Sequence, residues 1–335
     1  MNIDYLTKQI LTYMGNKRKL IPKIEDIIKD IKQRLNKTTL TTGDGFSGSG
    51  IVSRLLKIHS SELYVNDLAG YSQTINECYL PYISPKTKTR IKRLINLANK
   101  YVDKGDINVP KYISKYWAPK TKAIQKNDRV YFTKENAERI DKYRYFIDNI
   151  PRIYRPYLLA PLLIQTSIHN NTNGQFSAFY KKDGIGHFGG KNENDLLRIT
   201  SPIILEEPIL YNNKCNVHIS RDDANLWVNN IPELDLVYYD PPYNKHPYNI
   251  YYFLLDIIND WEINTVIPDT YRGQPKNWVR SLYNGIDKAK KAFAELIQKT
   301  KAKYIVISYN NDGIISPIDM ETILKKKRKC RTCRS

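Results

Sequence analysis

Five short runs of β-branched and aromatic residues, each bounded by polar residues, constrain this chain more than any other feature. They are TLTTGD leading into GFSGSG, ELYVND at 62–67, NVHIS at 216–220, DLVYYD at 235–240 and KYIVISY at 303–309. Runs of this kind read as strands. Helical patterns lie among them. Leu20, Ile21, Ile24, Ile27, Ile28, Ile31 and Leu35 recur at helical spacing, IVSRLLKI follows the glycine-rich turn, and a helix over 282–299 precedes the last run. Strands alternating with helices predict an α/β fold with a doubly wound, mostly parallel sheet, because parallel neighbours need crossover connections and helices supply them.

The stretch 76–200 has a different texture. It is rich in Tyr, Lys and Arg and contains the polar, glycine-bearing run NNTNGQFSAFYKKDGIGHFGG over 170–190. It reads as an inserted, partly helical module whose loops or hairpin project from the sheet, so that 1–75 and 201–335 form one discontinuous domain. Charge follows the same division. Of a net +19, residues 76–200 hold 23 basic against 11 acidic side chains, and the tail 325–335 holds 7 basic and none acidic. A bias toward Lys, Asn, Ile and Tyr raises lysine content everywhere but does not explain this placement. A basic module suits a polyanion such as nucleic acid.

Other classes are disfavoured. No apolar run approaches the roughly 20 residues of a membrane span. The start, MNIDYLTKQI, lacks the charged-then-apolar order of a secretory signal. Cys78, Cys215, Cys330 and Cys333 are too few and too scattered for a disulfide framework, which points to a cytoplasmic setting. Cys330 and Cys333 have the spacing of half a zinc site with no second pair nearby, so no metal is expected.

Two motifs carry chemistry. Asp240-Pro241-Pro242-Tyr243 directly follows a strand, at the end where open α/β sheets bind ligands. Two prolines stiffen the backbone and remove two N–H donors, leaving carbonyl oxygens free to accept. With an acid beside them and a flat aromatic ring, they suit a planar ring bearing an amino group. His246, close behind, reads as a solvated loop residue with DNA within its reach. The second motif is Asp44-Gly-Phe46-Ser-Gly48-Ser-Gly50, between a strand and a helix, where glycines permit close approach of backbone to ligand. It lacks the Lys-Ser/Thr of a P-loop, and Asp44 repels phosphate but suits a cation such as the amino group of a methionine moiety. The next strand ends at Asp67, about 20 residues on, well placed for ribose hydroxyls.

The order Tyr13-Met-Gly15-Asn-Lys17, DGFSGSG, Asp67, a long basic insert and DPPY resembles the alpha class of adenine-N6 DNA methyltransferases, and the insert is similar to those of type II modification methylases. The resemblance implies a Rossmann-like fold that uses S-adenosylmethionine and a target-recognition insert that holds double-stranded DNA. It implies that Tyr13 and Lys17 hold the cofactor, Lys17 through the methionine carboxylate. Asp44, Phe46, Gly48 and Gly50 form the pocket floor, Asp67 takes the ribose and Asp223 reaches the cofactor's adenine. Asp222 competes for that last role, and Phe46 reads equally well as core. Asp240 to Tyr243 receive a flipped-out adenine. In the insert, Asn170, Asn171, Asn173 and Gln175 suit base edges, and Lys181 and Lys182 suit phosphates.

An N4-cytosine or RNA amino-methyltransferase shares this site logic, but those enzymes more often carry serine before Pro-Pro-Tyr. An inactive DNA-binding relative is the remaining reading. Related enzymes continue past a strand like KYIVISYNNDG with a further hairpin, whereas here METILKKKRKC follows. The expectation is a C-terminus truncated or altered by a frameshift. The chain is expected to act as a monomer, with any cognate restriction endonuclease a genetic rather than a physical partner.

Overall fold

The computed structural model describes residues 4–8, 10–12, 14–105, 108–121, 123–245, 247–276 and 281–327. Tyr13, His246, Cys330 and Cys333 lie outside the described residues. The chain divides into two compact units. One comprises Lys17–Asn76, Asn213–Pro247 and Val279–Ser335; the other comprises Met1–Asn16, Glu77–Asn212 and Tyr248–Trp278.

The first unit holds five strands: β1 (Leu40–Asp44), β2 (Ser60–Asn66), β3 (Asn216–Ser220), β4 (Leu234–Tyr239) and β5 (Ala302–Ile307). Their order is β3-β2-β1-β4-β5, and every pair is parallel. All five expected runs thus form one doubly wound sheet. Every residue of β4 is buried, as expected for a central strand covered on both faces. Val237 and Tyr239 pack with Trp227, Phe293, Leu296 and Met320, placing one core beneath the helices Ile286–Lys299 and Pro317–Lys327. The helix Ile21–Leu35 buries Ile21, Ile24, Ile28 and Ile31 at the predicted spacing, and Asn36 ends it in the left-handed conformation. The single helix expected over 282–299 is broken. A 3-10 turn, Leu282–Asn284, precedes Ile286–Lys299 because Gly285 between them is extended.

Strand order reverses between β1 and β4, the position at which open α/β sheets form a ligand crevice beyond their carboxyl ends. Register sets Asp44 beside Tyr238, two residues before Asp240.

The second unit is mostly helical. Its long helices are Pro85–Asp103, Lys134–Asp148, Pro156–Ile168 and Tyr248–Asp260. Ser84 and Thr133 cap the first two by accepting from the amides of Thr87 and Asn136. Pro156–Ile168 is buried along almost its whole length. Lys181–Lys182 pairs antiparallel with Ile185–Gly186 around Asp183 and Gly184, both at positive φ, as a two-residue hairpin turn requires. Residues 248–278 join this unit: the Phe176 amide donates to the Tyr251 carbonyl at 2.7 Å, and Trp117 Nε1 to the Arg272 carbonyl at 3.0 Å. No helix among the described residues is long and apolar enough to cross a membrane.

Gly45, just past β1, tests this packing. Its amide donates to the Tyr238 carbonyl, and an added Cβ would lie 2.5 Å from Cε1 of Tyr239, a ring held by its hydroxyl's bond to Thr300. Gly45→Ala is expected to cost about 1–3 kcal/mol, read from urea midpoints at constant m. Gly105→Ala, with nothing within 4 Å of the added carbon, should stay within about 0.5 kcal/mol of the wild type.

Candidate active site

Two carboxylates stand at the strand-order reversal. Asp44 closes β1 and is fully buried. Its Oδ2 accepts from the Ser53 hydroxyl at 2.6 Å, while its Oδ1 is buried without a hydrogen-bond partner among the described residues. Burial pushes its pKa up to about 7, against the lowering effect of the Ser53 hydroxyl and the Phe46 amide. Asp240 follows β4. Its Oδ2 pairs with Lys17 Nζ at 2.8 Å, and its Oδ1 is likewise buried with no partner among the described residues. Burial raises Asp240 to about 6, and the adjacent Lys17 ammonium limits the rise.

The turn after β1 is tied down by Asp67. Gly48 and Gly50 both have positive φ. The Gly48 amide donates to Asp67 Oδ2 at 2.7 Å and the Ala69 amide to Oδ1 at 2.9 Å. Burial raises the Asp67 pKa and these amides oppose it. At Gly50 an added Cβ would lie 2.9 Å from the Asn76 carboxamide oxygen. The turn is therefore a fixed backbone cradle.

Beyond Asp240, Pro241 is buried and Pro242 half-buried. The Tyr243 ring meets Tyr309 edge-on at 6.1 Å, and Lys17 Nζ lies 5.8 Å from its centroid. The Tyr243 carbonyl accepts from the Ile314 amide, and Asn284 donates to the Asn244 carbonyl. The main chain of the tetrad is thus held from the segments before and after β5.

Asp223 and Asp222 are used differently. The Asp223 side chain caps the helix Ala224–Trp227 by accepting from the Asn225 amide at 2.8 Å. Asp222 is exposed, and its main chain is gripped by Asn66, which donates to its carbonyl at 3.0 Å and accepts from its amide at 3.1 Å. Phe46 is half-buried and edge-on to Tyr283 at 5.1 Å and to Tyr239 at 6.1 Å, so its ring packs on the core while remaining partly open.

Sequence reasoning missed Asn66, Ser53 and Tyr238. Asn66 was detectable as a polar residue ending an apolar strand directly before Asp67. Tyr238 shares a sheet face with Asp44 and Asp240, and its hydroxyl is buried. Nothing in its surrounding sequence marks it.

The residues expected to meet DNA belong to the other unit. Asn173, Lys181 and Lys182 are exposed and Gln175 is half-buried. Asn170 and Asn171 correct the expectation of base contacts. Both are buried, with Asn170 donating to the carbonyls of Thr166 and Ser167, and Asn171 to those of Val130 and His187. Their carboxamides satisfy loop and helix-end backbone, a frequent use of asparagine in a polar loop.

A sequence model of the family described as D12 class N6 adenine-specific DNA methyltransferase matches residues 13–323. The modification methylase StsI of Streptococcus sanguinis is 28% identical over 94% of this chain and 46% of its own length. The type II methyltransferase M.CviAII of Paramecium bursaria Chlorella virus 1 is 27% identical over 95% of this chain and 89% of its own. For M.NlaIII of Neisseria lactamica the values are 27%, 94% and 88%. The chain thus spans about half the length of the first relative and most of the other two.

The buried carboxylates imply a pH dependence. With Asp44 at about 7 when folded and 3.8 when exposed, the folded state holds the extra proton between those values, so this group's contribution to stability falls as pH rises through that window. Asp44→Asn removes the ionisation. The urea midpoint of wild type relative to Asp44→Asn is expected to drop between about pH 4 and about pH 7 and then level off; a difference that holds constant or grows across that window would contradict the buried, half-satisfied carboxyl.

Proposed function

This chain belongs to the D12 class of N6 adenine-specific DNA methyltransferases, and on that premise we propose that it transfers a methyl group from S-adenosylmethionine to N6 of an adenine flipped out of duplex DNA. The carrying observation is the buried Oδ1 of Asp240, without a hydrogen-bond partner among the described residues, at the strand-order reversal, followed by two prolines that offer carbonyls and no N–H. Its role is that of the modification enzyme of a type II restriction–modification system, acting as a monomer.

The residues fit such a cofactor. S-adenosylmethionine supplies, when bound, an electrophilic methyl on a sulfonium, together with an ammonium, a carboxylate and ribose hydroxyls. Asp44 presents an unsatisfied oxygen to a cation, Lys17 suits the carboxylate, and Asp67 keeps lone pairs for hydroxyls beyond its two amide bonds. Gly48 and Gly50 let the backbone approach closely, Phe46 offers an open ring edge, and Asp223 has a second oxygen beyond its cap for the cofactor's adenine. Tyr13 joins this group as a further cofactor residue.

A stacked base cannot reach this site, so the target adenine leaves the helix. Asp240 Oδ1 and the Pro241 carbonyl accept the two N6 hydrogens and favour a pyramidal nitrogen with an available lone pair. Tyr243 stacks on the purine, a contact worth about 1–3 kcal/mol. With the donor held by these residues, N6 would bond to the methyl carbon in line as the carbon–sulfur bond breaks and a neutral thioether leaves, and the N6 proton would pass through Asp240 Oδ1 to water. Orientation would supply most of the catalysis, and no covalent intermediate is needed. Lys181 and Lys182 grip phosphates, and Asn173 and Gln175 reach base edges.

Asp240→Ala is expected to lower methyl transfer about a thousandfold while the protein stays folded. Radiolabelled transfer to duplex DNA measures the rate, and digestion to nucleosides identifies the product. Undiminished transfer, or N4-methylcytosine as product, would sink the reading. Asp223→Ala should weaken cofactor binding about tenfold by calorimetry, near 1.4 kcal/mol, and Asp222→Ala by no more than about threefold; the reverse order would assign the adenine contact to Asp222.

A further inference from the structure

Residues 268–273, which follow the catalytic tetrad in sequence, form a rigid surface loop of the helical unit. Its keystone is Arg129. The guanidinium donates to the carbonyls of Thr270 at 2.9 and 3.0 Å, Pro268 at 2.8 Å and Tyr116 at 3.2 Å. Gly273 at φ 61 lets the loop fold over it, since a Cβ there would lie 2.8 Å from Arg129 Nε. Trp117 Nε1 pins the next carbonyl, that of Arg272.

This anchoring places two side chains against the strand that leads into the hairpin. The Tyr271 ring, 43% exposed, stacks on Phe179 at 4.8 Å. On the same ring sits Lys181 Nζ, 4.0 Å from the centroid, a cation–π arrangement that holds a long, exposed lysine in one place. Arg272 Nε donates to the Ser177 carbonyl at 2.8 Å, which fixes the plane of its guanidinium. Neither terminal nitrogen of Arg272 makes a hydrogen bond to a described residue, and the side chain is half-exposed. The nearby acids at Asp183 and Asp269 are exposed, and Asp269 lies 3.7 Å from Arg129.

We propose that the loop 268–273 is part of the DNA-reading surface: Arg272 offers its two terminal nitrogens to a pair of acceptor atoms on duplex DNA, and Tyr271 is a positioning residue that holds Lys181 on a phosphate. The acceptor pair is either two oxygens of one phosphate or O6 and N7 of a guanine, since a planar guanidinium matches both. An arginine immobilised through Nε has little rotamer freedom left to lose, which favours a positional contact over diffuse attraction. The inference rests on the functional reading above and extends it to a segment outside the basic insert.

The test uses the full chain and a duplex carrying its recognition site, obtained by mapping methylated adenines in a host genome that expresses it. Binding to that duplex and to a scrambled one is measured against salt for wild type, Arg272→Ala, Lys181→Ala, Tyr271→Leu and Tyr271→Phe, with melting curves confirming folding. Lys181→Ala should weaken both duplexes and reduce the salt slope by about 1. Tyr271→Leu should weaken both several-fold, while Tyr271→Phe, which keeps the ring, binds like wild type and separates loss of the ring from loss of the hydroxyl; Lys181→Ala and Arg272→Ala carry the test if the leucine variant unfolds. Arg272→Ala should lose about tenfold or more. A loss confined to the specific duplex with unchanged slope identifies a guanine; a loss on both with a slope lower by about 1 identifies a phosphate. If Arg272→Ala, or a folded Tyr271→Leu, binds both duplexes within about twofold of wild type, with its slope, the proposal fails although the enzyme stands. Wild-type protein that binds no duplex and methylates none overturns the functional reading and this proposal with it.

Discussion

The pairing of β1 with β4 is the constraint from which the candidate site follows. These strands are distant in sequence, and their register sets Asp44 beside Tyr238, so that Asp240 emerges at the same sheet edge. The Gly45 amide continues the ladder to the Tyr238 carbonyl. A slip of one residue would flip one strand relative to the other and put Asp44 and Asp240 on opposite faces of the sheet. Because the sheet is covered on both faces, that slip would also bury a carboxylate among apolar side chains.

The sheet edge carries an electrostatic imbalance. Asp44, Asp67 and Asp240 are all held above the usual carboxylate range, burial being the largest cause for each. Lys17 pairs with Asp240, and the amides around Asp67 are already in use. Buried charges are rarely left so incompletely matched unless a ligand completes them. A ligand with two positive centres and one carboxylate would complete these carboxylates and Lys17, which is the physical reason the sulfonium donor suits this site better than a nucleotide phosphate.

The helical unit owes its surface to a different kind of interaction. Arg129 organises the 268–273 loop almost entirely through backbone carbonyls, so the loop's shape depends on the guanidinium more than on the loop's own side chains. Asn170 and Asn171 act in the same way from within their loop, giving up their carboxamides to hold it. Exposure then separates residues of one composition into two roles: Asn173, Lys181 and Lys182 stand in solvent while their neighbours are internal supports.

The parallel sheet was legible in the sequence because strand and helix periods are local properties, and all five expected runs became strands. The motif positions were legible for a related reason: glycines, prolines and acids at strand ends carry their backbone consequences with them. What the sequence alone could not decide was how each polar group would be used. Whether an Asp caps a helix, as Asp223 does, or an Asn supports a loop, as Asn171 does, depends on which backbone groups arrive beside it. The union of 248–278 with 77–212, and with it the 268–273 loop, rests on contacts between residues more than a hundred apart, such as Arg129 with Thr270 and Trp117 with Arg272. Local periodicity contains no information about such pairings; only the closed tertiary structure, in which every buried donor must find an acceptor, selects them.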